Sequence, residues 1–173
     1  LEGSTVAGGS FNSGGQGEEE MTSRDLNDLS PEVKALAPQL VDEVQKQLGI
    51  RIIITCTKRD PVDQCILYMQ GRTPPELVNY YRASFGMPKT DSNKIVTWTL
   101  HSRHFPNKEG KAEAFDIVIY VDGQSYWDVT KTDINKDKIP DYKQIAEIGR
   151  KLGLKPGADF GDYAHFQNAS LPI

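Results

Sequence analysis

The run Ala114-Phe115-Asp116-Ile117-Val118-Ile119-Tyr120-Val121 sets the hardest condition on any fold this chain can adopt. β-Branched and aromatic residues dominate it, which predicts a central strand over about residues 112 to 121. Asp116 interrupts that run. An unpaired carboxylate in a buried strand is expensive, so the fold must bring Asp116 a cation, several hydrogen-bond donors or a metal ion.

The other elements are marked by their ends. Ser30 as N-cap, Pro31 at the first helical position and Glu32 in the first turn open a helix over residues 31 to 48. Val33, Leu36, Leu40, Val41, Val44 and Leu48 recur along it at helical spacing until Gly49, with Pro38 a candidate kink. Ile50 to Thr57 reads as a buried strand. Asp60-Pro61 opens a helix that closes near Gly71, and Pro74-Pro75-Glu76 opens another that ends about Gly86. After turn-like residues 87 to 93, Val96, Trp98 and Leu100 alternate with Thr97, Thr99 and His101 as in a half-buried strand. Continued extended geometry puts Ser102 and His104 on the face of Trp98, and His101 on the other. A polar loop, Pro106 to Gly110, precedes the central strand. Pro140 begins an amphipathic helix carrying Ile145, Ile148, Gly149 and Leu152 on its inner face, capped by Gly153. Turn-rich Pro156 to Asp162 leads to a short strand, Tyr163 to Gln167. The expected fold class is α+β: a single domain with a small, mainly antiparallel sheet flanked by helices.

At 173 residues, with 38% hydrophobic and 25% charged content, the chain has the composition of one soluble domain and no room for a second. Residues 1–20 are rich in Gly, Ser and Glu and lack core-forming side chains, and Met21 follows them. They read as a flexible tail, either a linker or an addition from expression, leaving 21–173 as the folded domain. No apolar stretch approaches the roughly 20 residues that span a bilayer, and the N-terminus lacks the regions of a signal peptide. Neither membrane insertion nor an export signal is expected. A formal net charge of −4 argues against an extended phosphate-binding face, and hence against nucleic acid as a partner. Cys56 and Cys65 are too few for a disulfide framework. They read as mostly buried thiols, with a single bridge as the alternative.

Three distant stretches carry the chemistry. Ser102-Arg103-His104, Ala114-Phe115-Asp116 and Asp162-Tyr163-Ala164-His165 together supply two imidazoles and two carboxylates, the ingredients of a hydrolytic zinc site. The chain has only three histidines, His101, His104 and His165, so their concentration in these contexts is informative. Each residue also has a plainer reading: His104 as an ordinary hydrogen-bonded histidine, Asp116 in a structural ion pair, Asp162 as a turn cap.

The order Arg59, Gln64, Leu67-Tyr68, Gly71-Arg72-Thr73, Ser102-x-His104, Ala114-x-Asp116 and Asp162-x-x-His165-Phe166-Gln167 covers about residues 30 to 168. It resembles the zinc peptidases that include D-alanyl-D-alanine carboxypeptidases and dipeptidases and the phage L-alanyl-D-glutamate endopeptidases. The segment Leu67 to Thr73 looks particularly like the endolysin branch. The resemblance implies one zinc ion held by His104, Asp116 and His165, with Asp162 as the base that takes a proton from water at the zinc. It further implies that Arg59 reaches the substrate carbonyl or carboxylate, and that Gln64 and Ser102 support the site or bind substrate. Arg59 is otherwise a surface arginine paired with Asp60 or Asp63.

The family usually spaces its first histidine and its aspartate about seven residues apart, with a Gly before the Ala-x-Asp segment. Here His104 and Asp116 are twelve apart, separated by a longer loop over residues 105–110, and His101 stands as a rival ligand. The expected activity is a zinc-dependent peptidoglycan hydrolase, most closely a phage endolysin that cleaves the L-alanyl-D-glutamate bond of the stem peptide. The alternatives are a D-alanyl-D-alanine carboxypeptidase or dipeptidase, and a non-enzymatic zinc-containing binding module. By the same resemblance the protein is a monomer that acts on the bacterial wall after leaving the host cytoplasm.

Overall fold

The computed structural model describes residues 22–171, so the tail expected over residues 1–20 lies outside the described residues. In chain order the elements are α1 (Pro31–Leu48), β1 (Ile52–Cys56), α2 (Pro61–Met69), α3 (Pro75–Ser84), β2 (Ala114–Val121), β3 (Gln124–Tyr126), α4 (Asp141–Lys151), β4 (Leu154–Pro156) and β5 (His165–Asn168). The protein is an α+β domain: α1 and α4 pack in one core against a small antiparallel sheet, and α2 packs on α3. None of these helices is long and apolar enough to cross a membrane.

β2 is the central strand its composition predicts. Ile119 pairs with both Ile52 of β1 and Tyr126 of β3, while Asp116 pairs with both Cys56 of β1 and His165 of β5. One edge of β2 therefore belongs to β1, and the other is divided between β3 and β5, with β4 outside β5. Side chains alternate along the strand. Phe115, Ile117 and Ile119 join α1 (Val33, Leu40, Val44) and α4 (Tyr142, Ile145, Ile148) in the main core. Asp116, on the other parity, points away from that core.

The helix ends follow the sequence signals. Gly49 closes α1 with φ +69°, a conformation that glycine adopts without a Cβ clash. Asp60 caps α2 by accepting the Val62 N–H at 2.7 Å. Ser30 does not use its side chain as a cap. Its hydroxyl donates to Glu113 instead, at 2.7 Å, tying the start of α1 to the residue before β2.

Three expectations change. Residues 96–101 form no strand, and Val96, Trp98 and Leu100 are exposed, Trp98 by 80%. β1 already occupies the edge of β2 that such a strand would need. The segment is pinned by side chains instead: Gln70 donates to the Lys94 carbonyl (3.3 Å), Arg72 to the Thr97 carbonyl (3.1 Å) and Gln64 to the Thr99 carbonyl (2.8 Å). The strand-parity basis for preferring His104 to His101 therefore fails, yet it is His104 that lies beside Asp116 and His165. The second change concerns the thiols: Cys56 is buried but Cys65 is exposed, and both are free. Finally, the sheet has two strands absent from the expected elements, β3 and β4, each of only three residues and too short for a periodicity to show.

α4 meets β5 at closest approach through Gly149. A Cβ there would lie 2.4 Å from the Phe166 ring, which stacks on Phe115 with centroids 5.7 Å apart. Overpacking of this kind costs about 1–3 kcal/mol, more than the roughly 1 kcal/mol of helix propensity that alanine adds. Gly149→Ala should therefore lower the urea midpoint. A midpoint at or above that of the parent protein would show that the helix and Phe166 are not in this contact.

Candidate metal centre

Register alone brings three side chains into one row. Cys56, Asp116 and His165 are directly opposed across β1, β2 and β5, and opposed residues on antiparallel strands have Cβ atoms about 5 Å apart. An irregularity between Ile54 and Cys56 makes this possible. Ile54 pairs with Ile117 and Cys56 with Asp116, so the extra residue in β1 brings Cys56 opposite the carboxylate.

His104 arrives from outside the sheet. Its carbonyl accepts the Arg59 N–H at 3.0 Å, its N–H donates to Ser102 Oγ at 3.2 Å, and its Nδ1 lies 2.8 Å from the Thr57 carbonyl. These bonds fix it at 2% exposure. His101 remains exposed, linked only to Thr99 among the described residues.

Three ligand atoms converge. His104 Nε2, His165 Nδ1 and Asp116 Oδ1 form a triangle with sides of 3.0, 3.1 and 3.2 Å. Atoms 2.0–2.1 Å from a tetrahedral ion lie about 3.3 Å apart, so the triangle is close to the size one ion requires. The outer nitrogens decide the tautomers. His104 Nδ1 can only donate to the Thr57 carbonyl, and His165 Nε2, 3.1 Å from Gln167 Oε1, donates to that buried amide. In the neutral rings the inner nitrogens then carry lone pairs, and both face a carboxylate oxygen. Three acceptors at these distances repel one another unless a proton or a cation lies between them.

Cys56, His104 and Asp116 also bring one ligand atom each within 4.8 Å of one another, so this group too can hold a metal ion. The thiol, however, sits on the Nδ1 side of His104, at 3.5 Å, where the Thr57 carbonyl already takes the proton. His165 sits on the Nε2 side, where the ring is free to ligate. The histidine pair is the better-formed set.

The second oxygen of Asp116 belongs to Arg59. Its Nη2 donates to Asp116 Oδ2 at 3.0 Å and contacts Cys56 Sγ at 3.4 Å, while Nη1 donates to Gln64 Oε1 at 2.9 Å. Gln64, 1% exposed, completes its bonding through Thr97 Oγ1 and the Thr99 carbonyl. Arg59 is therefore paired with Asp116 rather than with Asp60 or Asp63. Burial is the largest influence and opposes its charge, but Asp116 and Cys56 together outweigh it and raise its pKa.

Asp162 lies at the exposed mouth of the centre. Its N–H donates to the Gly157 carbonyl at 2.8 Å, and its own carbonyl accepts the His165 N–H at 3.2 Å, so it is also the turn residue of the plainer reading. Desolvation first, and then the charge of Asp116, raise its carboxyl pKa, while His165 and His104 pull it back. Gly157 is what lets this turn close. A Cβ there would meet the Asp162 carbonyl at 2.2 Å and His165 Cβ at 2.8 Å. Neither Gly157 nor Gln167 carries a local signal of its role, although Gln167 adjoins the His165-Phe166 pair.

The loop over 105–110 leaves the ligands undisturbed. The Glu113 N–H donates to the Arg103 carbonyl at 2.9 Å across its base, and Asn107 closes its tip by accepting the Gly110 and Lys111 N–H groups.

Without a metal, burial would lower the His104 pKa, but the charge and hydrogen bond of Asp116, helped by Cys56, leave it pushed up to about 10. Burial likewise opposes the charge of Asp116, and His104 and His165 hold its carboxyl well below the usual range. A raised histidine pKa stabilises fully below the ordinary value of 6.5, and that contribution is lost as pH rises toward 10. The metal-free protein should thus lose thermal stability from pH 6.5 to 9.5. The extra stability given by added Zn2+ or Co2+ should grow over the same window, as the competing proton leaves. Rising stability of the chelated protein across that range would sink the imidazolium–carboxylate pair. Gly157→Ala should weaken metal binding about tenfold or more while leaving the far-ultraviolet circular dichroism intact. No model of a known protein family matches the chain, and no curated protein sequence matches it.

Proposed function

We propose that this protein is a zinc-dependent peptidoglycan hydrolase that cleaves the L-alanyl-D-glutamate bond of the stem peptide, as phage endolysins do. The observation that carries this reading is the convergence of His104 Nε2, His165 Nδ1 and Asp116 Oδ1, with both outer imidazole nitrogens already engaged. Two imidazoles and one carboxylate with an open fourth position suit a catalytic zinc better than a structural one. When bound, zinc supplies a Lewis acid that polarises a carbonyl and makes water a better nucleophile near neutral pH.

The chain's own groups supply the rest. Asp162, with its carboxyl pKa raised by desolvation and by Asp116 and its side chain exposed, accepts a proton from the attacking water and can return it to the departing amine. Arg59 has five N–H donors, and its bonds to Gln64, Asp116 and Cys56 leave two for a substrate oxygen. Gln64 holds that guanidinium in place, and Ser102 holds the backbone of His104. The exposed ring of Phe160 meets His165 edge-on, with centroids 5.8 Å apart, and forms an apolar wall beside the ligands.

Purified protein should carry about one zinc per chain, and wall lysis should stop on chelation and return with zinc. Digested wall should expose new N-terminal D-glutamate. Release of free D-alanine without it would instead mark a D-alanyl-D-alanine carboxypeptidase or dipeptidase, and bound zinc with no product at all would mark a binding module. Asp162→Asn should retain the zinc and lose about 10²- to 10⁴-fold in turnover. Parent-like turnover by that variant would remove Asp162 from the base role.

A further inference from the structure

On the approach to α4, residues 133–144 place oxygen-bearing groups at alternate positions: Asp133, Asn135, Asp137, the Ile139 carbonyl, Asp141 and, at the twelfth position, Gln144. This is the spacing of calcium-binding loops, which take oxygens from positions 1, 3, 5, 7, 9 and 12. Two residues depart from the pattern. Lys138 stands where such loops carry glycine, yet its φ of +70° gives the same left-handed turn. Gln144 replaces the usual bidentate glutamate.

The loop is wound as the spacing requires. Asp133 accepts the Asp137 and Lys138 N–H groups at 3.1 and 3.0 Å, and Asp137 accepts the Ile139 N–H at 2.9 Å. Gln144 reaches back across the loop, donating to Asp137 at 2.6 Å and accepting from Asn135 at 3.3 Å. No lysine or arginine forms an ion pair with Asp133, Asp137 or Asp141 among the described residues.

Asp141 is the independent sign of a ligand. Its side chain is fully buried, and Oδ2 accepts the Ile134 N–H at 2.6 Å, which seats the carboxyl beneath the loop. Oδ1 has no partner. A buried carboxylate oxygen without a donor is costly. Here the nearest charges, Asp133 and Asp137, are of the same sign and oppose its ionisation further.

We propose that residues 133–144 form a calcium site, separate from the His104–Asp116–His165 centre, in which Asp133, Asn135, Asp137, the Ile139 carbonyl, Asp141 and Gln144 surround one ion. With a neutral Gln144 in the last position the affinity belongs to the weak end of such loops, a dissociation constant of about 0.1–1 mM. The ion offsets two of the three carboxylate charges and clamps the loop to the first turn of α4, the helix that packs against β4 and the Phe166 of β5.

The full chain, with one equivalent of Zn2+ present throughout, is titrated with CaCl2, and with MgCl2 at matched ionic strength. At 10 mM CaCl2 the Tm should rise by about 3–10 °C, and MgCl2 should do less because it demands a tighter octahedral shell. Equilibrium dialysis at that concentration should find about one additional calcium per chain. The double variant D133N/D137N should lose both effects. Asp141→Asn, which removes the buried charge, should be more stable than the parent without calcium and should no longer respond to it. No uptake by the parent protein, a shift matched by MgCl2, or a shift that persists in both variants would overturn the proposal. If the double variant does not fold, dialysis of the parent and the Asp141→Asn response decide. None of these readouts involves peptidase activity, so the calcium site and the hydrolase reading stand or fall separately.

Discussion

The carboxylate of Asp116 is the point at which the sheet, both buried histidines and Arg59 are joined. Oδ1 faces His104 and His165, and Oδ2 faces Arg59. Buried charge is tolerable only where geometry supplies partners on every side, and each partner here comes from a different part of the chain. His165 comes by strand pairing, His104 from an irregular loop, and Arg59 from the turn after β1. The requirement that one carboxylate be satisfied thus constrains the register of β5, the bulge in β1 and the path of residues 97–104 together. It also assigns the two oxygens different work: one side holds positive charge permanently, and the other is left for a proton or a metal.

The imidazoles are prepared for that choice before any ion arrives. The Thr57 carbonyl and the Gln167 amide oxygen each take an outer N–H, which aims the remaining lone pairs inward. Thr57 directly follows β1, and Gln167 lies two residues beyond His165 on β5, so the same strands that build the core also set the protonation pattern. Such outer hydrogen bonds orient ligands and increase their basicity. A proton held by His104 and Asp116 is accordingly the natural competitor of a metal, and the loaded and empty forms respond to pH in opposite senses.

Much of this architecture was legible in the residues. α1 and α2 carry their own end signals, and β2 declares itself through β-branched density with Asp116 as the exception that needed an explanation. The convergence of His104, Asp116 and His165 was implied only by the resemblance to the zinc peptidases, which the order of the motifs carries over most of the domain. What failed was local periodicity without tertiary context. Val96, Trp98 and Leu100 alternate as a strand would, but β1 fills the edge of β2, and side-chain bonds from Gln64, Gln70 and Arg72 secure the segment in an irregular path. Gly157 escaped notice, and Gln167 stood in a motif without a role, for a related reason. Their importance lies in contacts with Asp162 and His165 that spacing does not reveal. The Asp141 carboxylate is similar: the sequence shows an acid in the first turn of a helix, and only burial shows an oxygen lacking a donor.

The closure beneath residues 105–110 has a consequence for how such a chain can change over time. Because Glu113 bonds to the Arg103 carbonyl, the positions of His104 and Asp116 are settled below the loop, and the intervening residues hang from that junction. Doubling the length of a flexible loop adds only about 0.6 kcal/mol of closure entropy. Insertions and deletions at the tip are therefore nearly invisible to the ligands. The interval between the histidine and the aspartate is free to drift, while the hydrogen bond at the junction, which leaves no trace in a spacing rule, is the part that must be kept.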